Sequence, residues 1–181
     1  VLLAWQAGME GGAAEADILC GDVNPSGKLT DTFAASLEDY PSTEHFHDSP
    51  DYVDYTEDIY VGYRYFETMD GARKKVNYPF GFGLSYTEFV LEDSKVFYTS
   101  TGAKLSVHVT NVGECAGKEV VQVYYSAPQG RLGKPARELA DYKKTRLLQP
   151  GESQWLHFFI PYAIMASYDD LGKISRSAWV M

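Results

Sequence analysis

The stretch from Glu57 to Thr87 limits the fold most strongly. It reads E-D-I-Y-V-G-Y-R-Y-F-E-T, then a short basic turn, then V-N-Y-P-F-G-F-G-L-S-Y-T. Aromatic rings need large apolar surroundings, and Gly62, Gly81 and Gly83 sit among them where backbones must approach closely or turn sharply. Such a segment predicts a junction bound to both of its neighbours rather than a free linker. Before it the chain reads as the end of an α/β domain, and after it as a β-sandwich.

On the N-terminal side, Val1-Leu2-Leu3-Ala4-Trp5 has no polar break, the pattern of a strand covered on both faces in a parallel sheet. Glu10–Leu19 follows with Ala13, Ala14, Ala16, Ile18 and Leu19, predicting a short, small-faced helix able to lie close on that sheet. Glu10 falls in its first turn, where the helix dipole favours a carboxylate, and Gly21 suits its stop. Asp22–Gly27 is dense turn chemistry, and Lys28–Phe33 alternates as a short strand leaving it. From Ser36 to Asp58 there are 8 acidic residues, no Lys or Arg, and two prolines, Pro41 and Pro50. A long surface excursion is expected there. Loops of this length are usually functional or mobile, but a solvated acidic face is the plainer reading.

Beyond the junction, Glu88–Tyr98, Leu105–Asn111, Glu119–Ser126, Glu138–Leu148 and Gln154–Ile160 alternate or run apolar, with a last candidate at Ile174–Val180. In Leu105–Thr110 the apolar residues take every second position, the period of a half-buried strand. Asn111-Val112-Gly113 and Gln149-Pro150-Gly151-Glu152 are turn signals. No helical run intervenes, so a two-sheet sandwich with about six of the usual seven strands is expected. Charge divides at the same place. Val1–Ser85 carries 5 Lys and Arg against 15 Asp and Glu, net −10, whereas Tyr86–Met181 carries 11 against 10, net +1. The expected units are therefore residues 1–85 and residues 86–181. The chain opens inside an apolar run and stops at Trp179-Val180-Met181, so it reads as a piece of a longer protein with its last strand truncated.

An acidic first half argues against nucleic-acid binding, which needs a basic footprint. No apolar run approaches transmembrane length, so no membrane partner is expected. Walker, G-x-G-x-x-G, G-x-S-x-G and H-E-x-x-H patterns are all missing. His45 and His47 in H-F-H-D suggest a weak metal site, but with no Cys or third His nearby, surface histidines are the better reading. His108 and His157 alternate with apolar residues and belong on solvated strand faces. Cys20 and Cys115 allow one disulfide, against two free, mostly buried thiols. The carboxylates of Glu38–Asp58 are open to acid/base work or to mere solubility, because a loop does not fix a facing pair. Tyr52, Tyr55, Tyr60, Tyr63 and Tyr65 would suit a sugar face, and most of them would serve equally as interdomain packing.

The run L-L-A-W-Q-A-G-M-E-G-G-A-A-E-A-D-I-L-C-G-D-V-N-P-S-G-K-L-T-D-T-F (Leu2–Phe33) resembles the closing part of the α/β-sandwich domain of glycoside hydrolase family 3. E-D-I-Y-V-G-Y-R-Y-F with Y-P-F-G-F-G-L-S-Y-T-E-F is similar to that family's signature between its α/β sandwich and its fibronectin type III-like domain. V-T-N-V-G-E-C-A-G-K-E-V-V-Q-V-Y, K-P-A-R-E-L-A-D-Y-K-K-T and Q-P-G-E resemble the fibronectin-like domain itself. The resemblance implies a partial α/β sandwich with a parallel sheet, followed by an all-β fibronectin type III-like sandwich of the immunoglobulin fold. It also implies a β-glucosidase-like retaining exo-glycosidase, or a relative such as a xylosidase, acting on oligo- or aryl-glucosides with no cofactor and no metal.

No catalytic residue is expected within this chain. The family's nucleophilic aspartate lies on a (β/α)8 barrel and its acid/base glutamate lies upstream of Val1, so Glu10 is expected to be a structural anchor. Glu57, Asp58 and Tyr60 are the candidates for the substrate rim. A missing barrel of the same chain is the expected partner, a homo-oligomer is left open, and free cysteines lean towards the cytoplasm over secretion. Sugar specificity and domain order stay open. The alternatives from other classes are a non-catalytic carbohydrate-binding or scaffold module and, last, an immunoglobulin-like adhesion domain.

Overall fold

A computed structural model describes residues 2–170, 172 and 178–180. Residues 2–5 form no strand, and Leu2, Leu3 and Trp5 are exposed. The parallel strand expected there has no partner among the described residues, where every pairing is antiparallel. The following helix, α1 (Gly11–Cys20), forms close to where the sequence places it and ends on Gly21 in the left-handed conformation, φ 85°. Glycine alone adopts that geometry without steric cost. The helix does not lie on a sheet, and of its residues only Gly11 is buried.

The short strand expected at Lys28–Phe33 is displaced. Only β1 (Phe33–Ala34) is regular, pairing with β2 (Val76–Tyr78). Leu29 instead exchanges backbone hydrogen bonds with the junction, donating to Phe82 at 2.8 Å and accepting from Gly81 at 2.8 Å. The acidic excursion is irregular apart from 3-10 turns at Leu37–Asp39 and Pro41–Glu44. Helix α2 (Tyr63–Thr68) follows Gly62, and its Phe66 is buried.

The second half is a sandwich of two antiparallel sheets. One contains β3 (Phe89–Tyr98), β4 (Gly102–Asn111) and β7 (Ser153–Pro161), with β4 in the middle, and the other pairs β5 (Val120–Tyr125) with β6 (Glu138–Lys144). Period-2 alternation turns Val107 and Val109 of β4 and Leu156 and Phe158 of β7 inward, where they meet Val121 and Leu148. Each such side chain contributes about 1.5–3 kcal/mol by leaving water. The opposite face of β7 carries Trp155, His157 and Phe159, all exposed. His157 is on a solvated face as expected, and His108 lies on that same outward face, half-buried with its ring stacked on Trp155 at 4.8 Å. A further pair, β8 (Ser167–Asp169) with β9 (Ala178–Val180), was not foreseen as a hairpin, and residues 174–177 of the last expected strand lie outside the described residues. Cys20 and Cys115 are free and both exposed, which corrects the expectation of buried thiols: one closes an unpacked helix and the other sits in a turn.

Asn111 ties the sandwich to its turns. It is fully buried and uses its whole side-chain amide. Nδ2 donates to the carbonyls of Cys115 (2.8 Å) and Leu148 (2.9 Å), and Oδ1 accepts from Thr87 Oγ1 (2.7 Å) and the Gly113 amide (3.2 Å).

Candidate functional site

The junction is held at two places. At the first, Asn24 in the turn after α1 reaches into both halves. Its Nδ2 donates to the Ala116 carbonyl (3.1 Å), and its Oδ1 accepts from Ser85 Oγ (3.0 Å) and the Tyr86 amide (2.9 Å). Tyr86 donates its hydroxyl to the Ile18 carbonyl at 2.8 Å, pinning the end of α1. A Cβ on Gly83 would collide with the Gly27 carbonyl oxygen, and one on Gly81 with the Gln122 side chain, so both glycines are there for close approach. Lys28 and Glu119 pair at 2.8 Å, each side chain only 17% exposed.

At the second, α2 is laced to β6 and the residues before it. Tyr63 packs on Phe80 (4.8 Å) and edge-on to Tyr124 (6.0 Å), and its hydroxyl accepts from the Leu139 amide at 2.8 Å. Thr68 Oγ1 accepts from the Ala136 amide at 2.8 Å. Arg137 donates from Nε and Nη2 to the two carboxylate oxygens of Glu67, and its guanidinium lies 5.3 Å from the Tyr124 ring centre. This bidentate bond to Glu67 raises the pKa of Arg137 further. Burial pushes Tyr124 and Tyr125 up to about 12, helped at Tyr125 by the hydrogen bond to Glu138, so both donate as neutral phenols.

The rim candidates form one turn ahead of α2. The Tyr60 amide donates to the Glu57 carbonyl at 2.9 Å, and Asp58 holds φ 51°, a left-handed value uncommon outside glycine. Glu57 and Tyr60 are half-buried and Asp58 is exposed. The Tyr60 hydroxyl lies against Gly133, where an added Cβ would sit 3.3 Å from it. The five tyrosines divide: Tyr60, Tyr63 and Tyr65 are partly buried, while Tyr52 and Tyr55 expose 63% and 91% of their surface.

Two carboxylates of the acidic excursion are already engaged. Asp39 pairs with Lys75 at 3.0 Å and accepts from the Ser36 amide, and the Lys75 hydrogen bond lowers its pKa. Asp48 accepts from His45 Nδ1 at 2.8 Å, which raises the pKa of His45, while His47 packs edge-on to Phe46. Among the described residues, no three His, Cys, Asp or Glu are grouped to hold a metal ion. Glu10 is exposed at the N-cap and makes no side-chain capping bond.

The pairing of Glu67 with Arg137, 70 positions apart, carries no signal in the sequence, and neither does the bridging role of Asn24, which reads there as a turn residue. Aromatic density and glycine placement do mark the segment that contains them.

Residues 1–86 match the model of the glycosyl hydrolase family 3 C-terminal domain, and residues 119–181 that of a fibronectin type III-like domain. The chain is 63% identical to beta-glucosidase A of Butyrivibrio fibrisolvens, over 100% of its own length and 24% of that protein. It is 47% identical to a beta-glucosidase of Ruminococcus albus, over 99% of its own length and 19% of that protein. It thus spans about a quarter or less of these relatives. The structure of a beta-glucosidase from Paenibacillus barengoltzii superposes with a TM-score of 0.83 at 55% identity, covering 90% of this chain and 18% of the other. Beta-glucosidase 3B from Thermotoga neapolitana in complex with glucose gives 0.86 at 45% identity, covering 92% and 23%. The chain belongs to glycosyl hydrolase family 3, as its C-terminal domain followed by a fibronectin type III-like domain.

Proposed function

We propose that this chain is the supporting, non-catalytic part of a retaining exo-β-glucosidase that removes terminal non-reducing β-D-glucosyl residues from oligo- or aryl-glucosides. The observation that carries this is end-to-end likeness to a beta-glucosidase across both domains at 63% identity. A retaining mechanism uses two carboxyl groups about 5–5.5 Å apart, one as nucleophile and one as acid/base. Both belong to the remainder of the protein, the nucleophile on a barrel. Within residues 1–181 the domain boundary lies near Tyr86. Residues 2–5 are an α/β strand completed by parallel neighbours from that remainder, a reading supported by the exposed apolar side chains of Leu2, Leu3 and Trp5.

Glu57, Asp58 and Tyr60 stand on the pocket rim. Support comes from the left-handed turn at Asp58 and from the bracing of Tyr60 by Gly133, which hold that turn in one shape. The full-length protein should hydrolyse an aryl β-glucoside and release β-glucose first, as followed by NMR. Residues 1–181 alone should not hydrolyse it. Saturable turnover by residues 1–181 would overturn the non-catalytic assignment. Tyr60→Ala in the full-length protein should raise KM severalfold, and an unchanged KM would remove Tyr60 from the rim.

A further inference from the structure

We propose that the outward face of the sheet formed by β3, β4 and β7, centred on Trp155, binds a linear β-glucan chain. The hydrogen bonds to residues 1–86 leave from the turn at Ala116, from Ala136 and from Leu139 of β6, and none of these residues belongs to this face. Along β7, alternation brings Trp155, His157 and Phe159 to the face, and opposite them stand His108, Ser106 and Lys104 of β4. At about 3.4 Å per residue, the strip from Trp155 to Phe159 runs about 14 Å, longer than one sugar ring.

Trp155 is held in one orientation before any ligand arrives. His108 stacks on it with ring centres 4.8 Å apart, and the Lys95 ammonium lies 6.0 Å from its ring centre. Both come from strands on the same side of β7, so the far side of the ring is the part left to water, and the residue stays 41% exposed. Ser106 Oγ and His157 Nδ1 share a hydrogen bond at 2.8 Å, which fixes that imidazole and leaves its Nε2 for a hydroxyl. An open ring among polar neighbours selects the occupant. A protein partner would bury Lys95, Lys104 and the imidazoles among the rings, whereas interface cores are depleted of charge. A nucleic acid would bring its phosphates to a chain of net charge −9, which repels them. A saccharide offers both surfaces at once: C–H faces for Trp155 and Phe159, and hydroxyls for His157, Lys95 and Lys104. A linear chain follows from the length of the strip, and the choice of a β-glucan rests on the β-glucosidase reading above.

The test is native affinity electrophoresis of the full-length protein through gels containing hydroxyethylcellulose, a soluble β-glucan, with 1-deoxynojirimycin saturating the glucose-binding pocket. The protein should be retarded relative to a gel without polysaccharide, and dextran, an α-linked glucan, should not retard it. Trp155→Ala should weaken the affinity by about tenfold or more, and His157→Ala by a few-fold. Trp155→Val, which keeps a strand former but removes the ring, should behave as Trp155→Ala. Aryl-glucoside hydrolysis should be unchanged in all three variants, which also shows them folded. Hydrolysis by the parent without retardation would overturn this inference alone, whereas no aryl-glucoside hydrolysis by the parent would overturn the β-glucosidase reading. Equal retardation by dextran, or full retardation of both Trp155 variants, would also overturn the assignment. So would a parent dimer that Trp155→Ala converts to a monomer, which would give the face to a second copy of the chain.

Discussion

Replacing Asn111 with alanine tests the account of the sandwich most directly. The substitution removes four hydrogen bonds, but their partners are not left equally stranded. The Leu148 carbonyl keeps the Gly117 amide at 3.0 Å, and the Gly113 amide keeps the Glu88 carbonyl at 3.2 Å. The Thr87 hydroxyl, in a residue only 8% exposed, loses its acceptor, and the Cys115 carbonyl loses the side-chain donor that held it. Two stranded groups at about 1–3 kcal/mol each, with a small cavity added, give a loss of about 3 kcal/mol. Because a large protein seldom unfolds in one step, the measurement should be local. Gly117 and Leu148 form an isolated bridge beside Asn111, so amide exchange in peptides containing them reports the site. At about 1.4 kcal/mol per tenfold, protection there should fall about a hundredfold. Thr87→Val alone should cost about 1 kcal/mol, since the Asn111 carbonyl oxygen keeps the Gly113 amide. The double variant should cost less than the sum, because the stranded hydroxyl is gone. Protection within a factor of three of the parent, or strict additivity, would refute the reasoning.

The interdomain clasp should prove specific to arginine. Arg137→Lys keeps the charge but loses the fork that grips both Glu67 oxygens, so it should lower the unfolding midpoint nearly as much as Arg137→Ala, by about 1 kcal/mol given its exposure. Two glycines should respond in opposite senses. Gly83→Ala drives a Cβ into the Gly27 carbonyl and should destabilise by about 1–3 kcal/mol, whereas Gly12→Ala meets open space inside α1 and should stabilise by up to about 1 kcal/mol in thermal denaturation. Acid should loosen the turn after residue 148. Arg146 and the Gln149 amide hold Glu152 below its ordinary carboxylate pKa of 4.5. A lowered folded pKa contributes stability above 4.5 that disappears as pH falls through the folded value. Glu152→Gln should flatten that part of the pH profile, and an unchanged profile would remove Glu152 from it.

Local pattern and long-range partnership separate cleanly along this chain. The β4 and β7 strands, the Gly21 helix stop and the turns around Asn111 and Gly151 were legible, because each depends on neighbours two to four positions away. Residues 2–5 show the limit of pattern. Their apolar run signals a strand, but a strand is made by the partner that hydrogen-bonds to it, and the described residues supply none. Side-chain identity at Asn24, Asn111, Glu67 and Arg137 was visible, yet their roles were not. An amide that bridges Ala116 to Tyr86, or a carboxylate that grips a guanidinium 70 residues on, exists only once the backbone has brought them within hydrogen-bond distance. Composition was enough to make residues 57–87 a packed junction, since so many rings around glycines have no stable solvated form. Which surfaces that junction joins was settled only by the fold, through contacts as distant in sequence as Asn24 with Ala116 and Glu67 with Arg137.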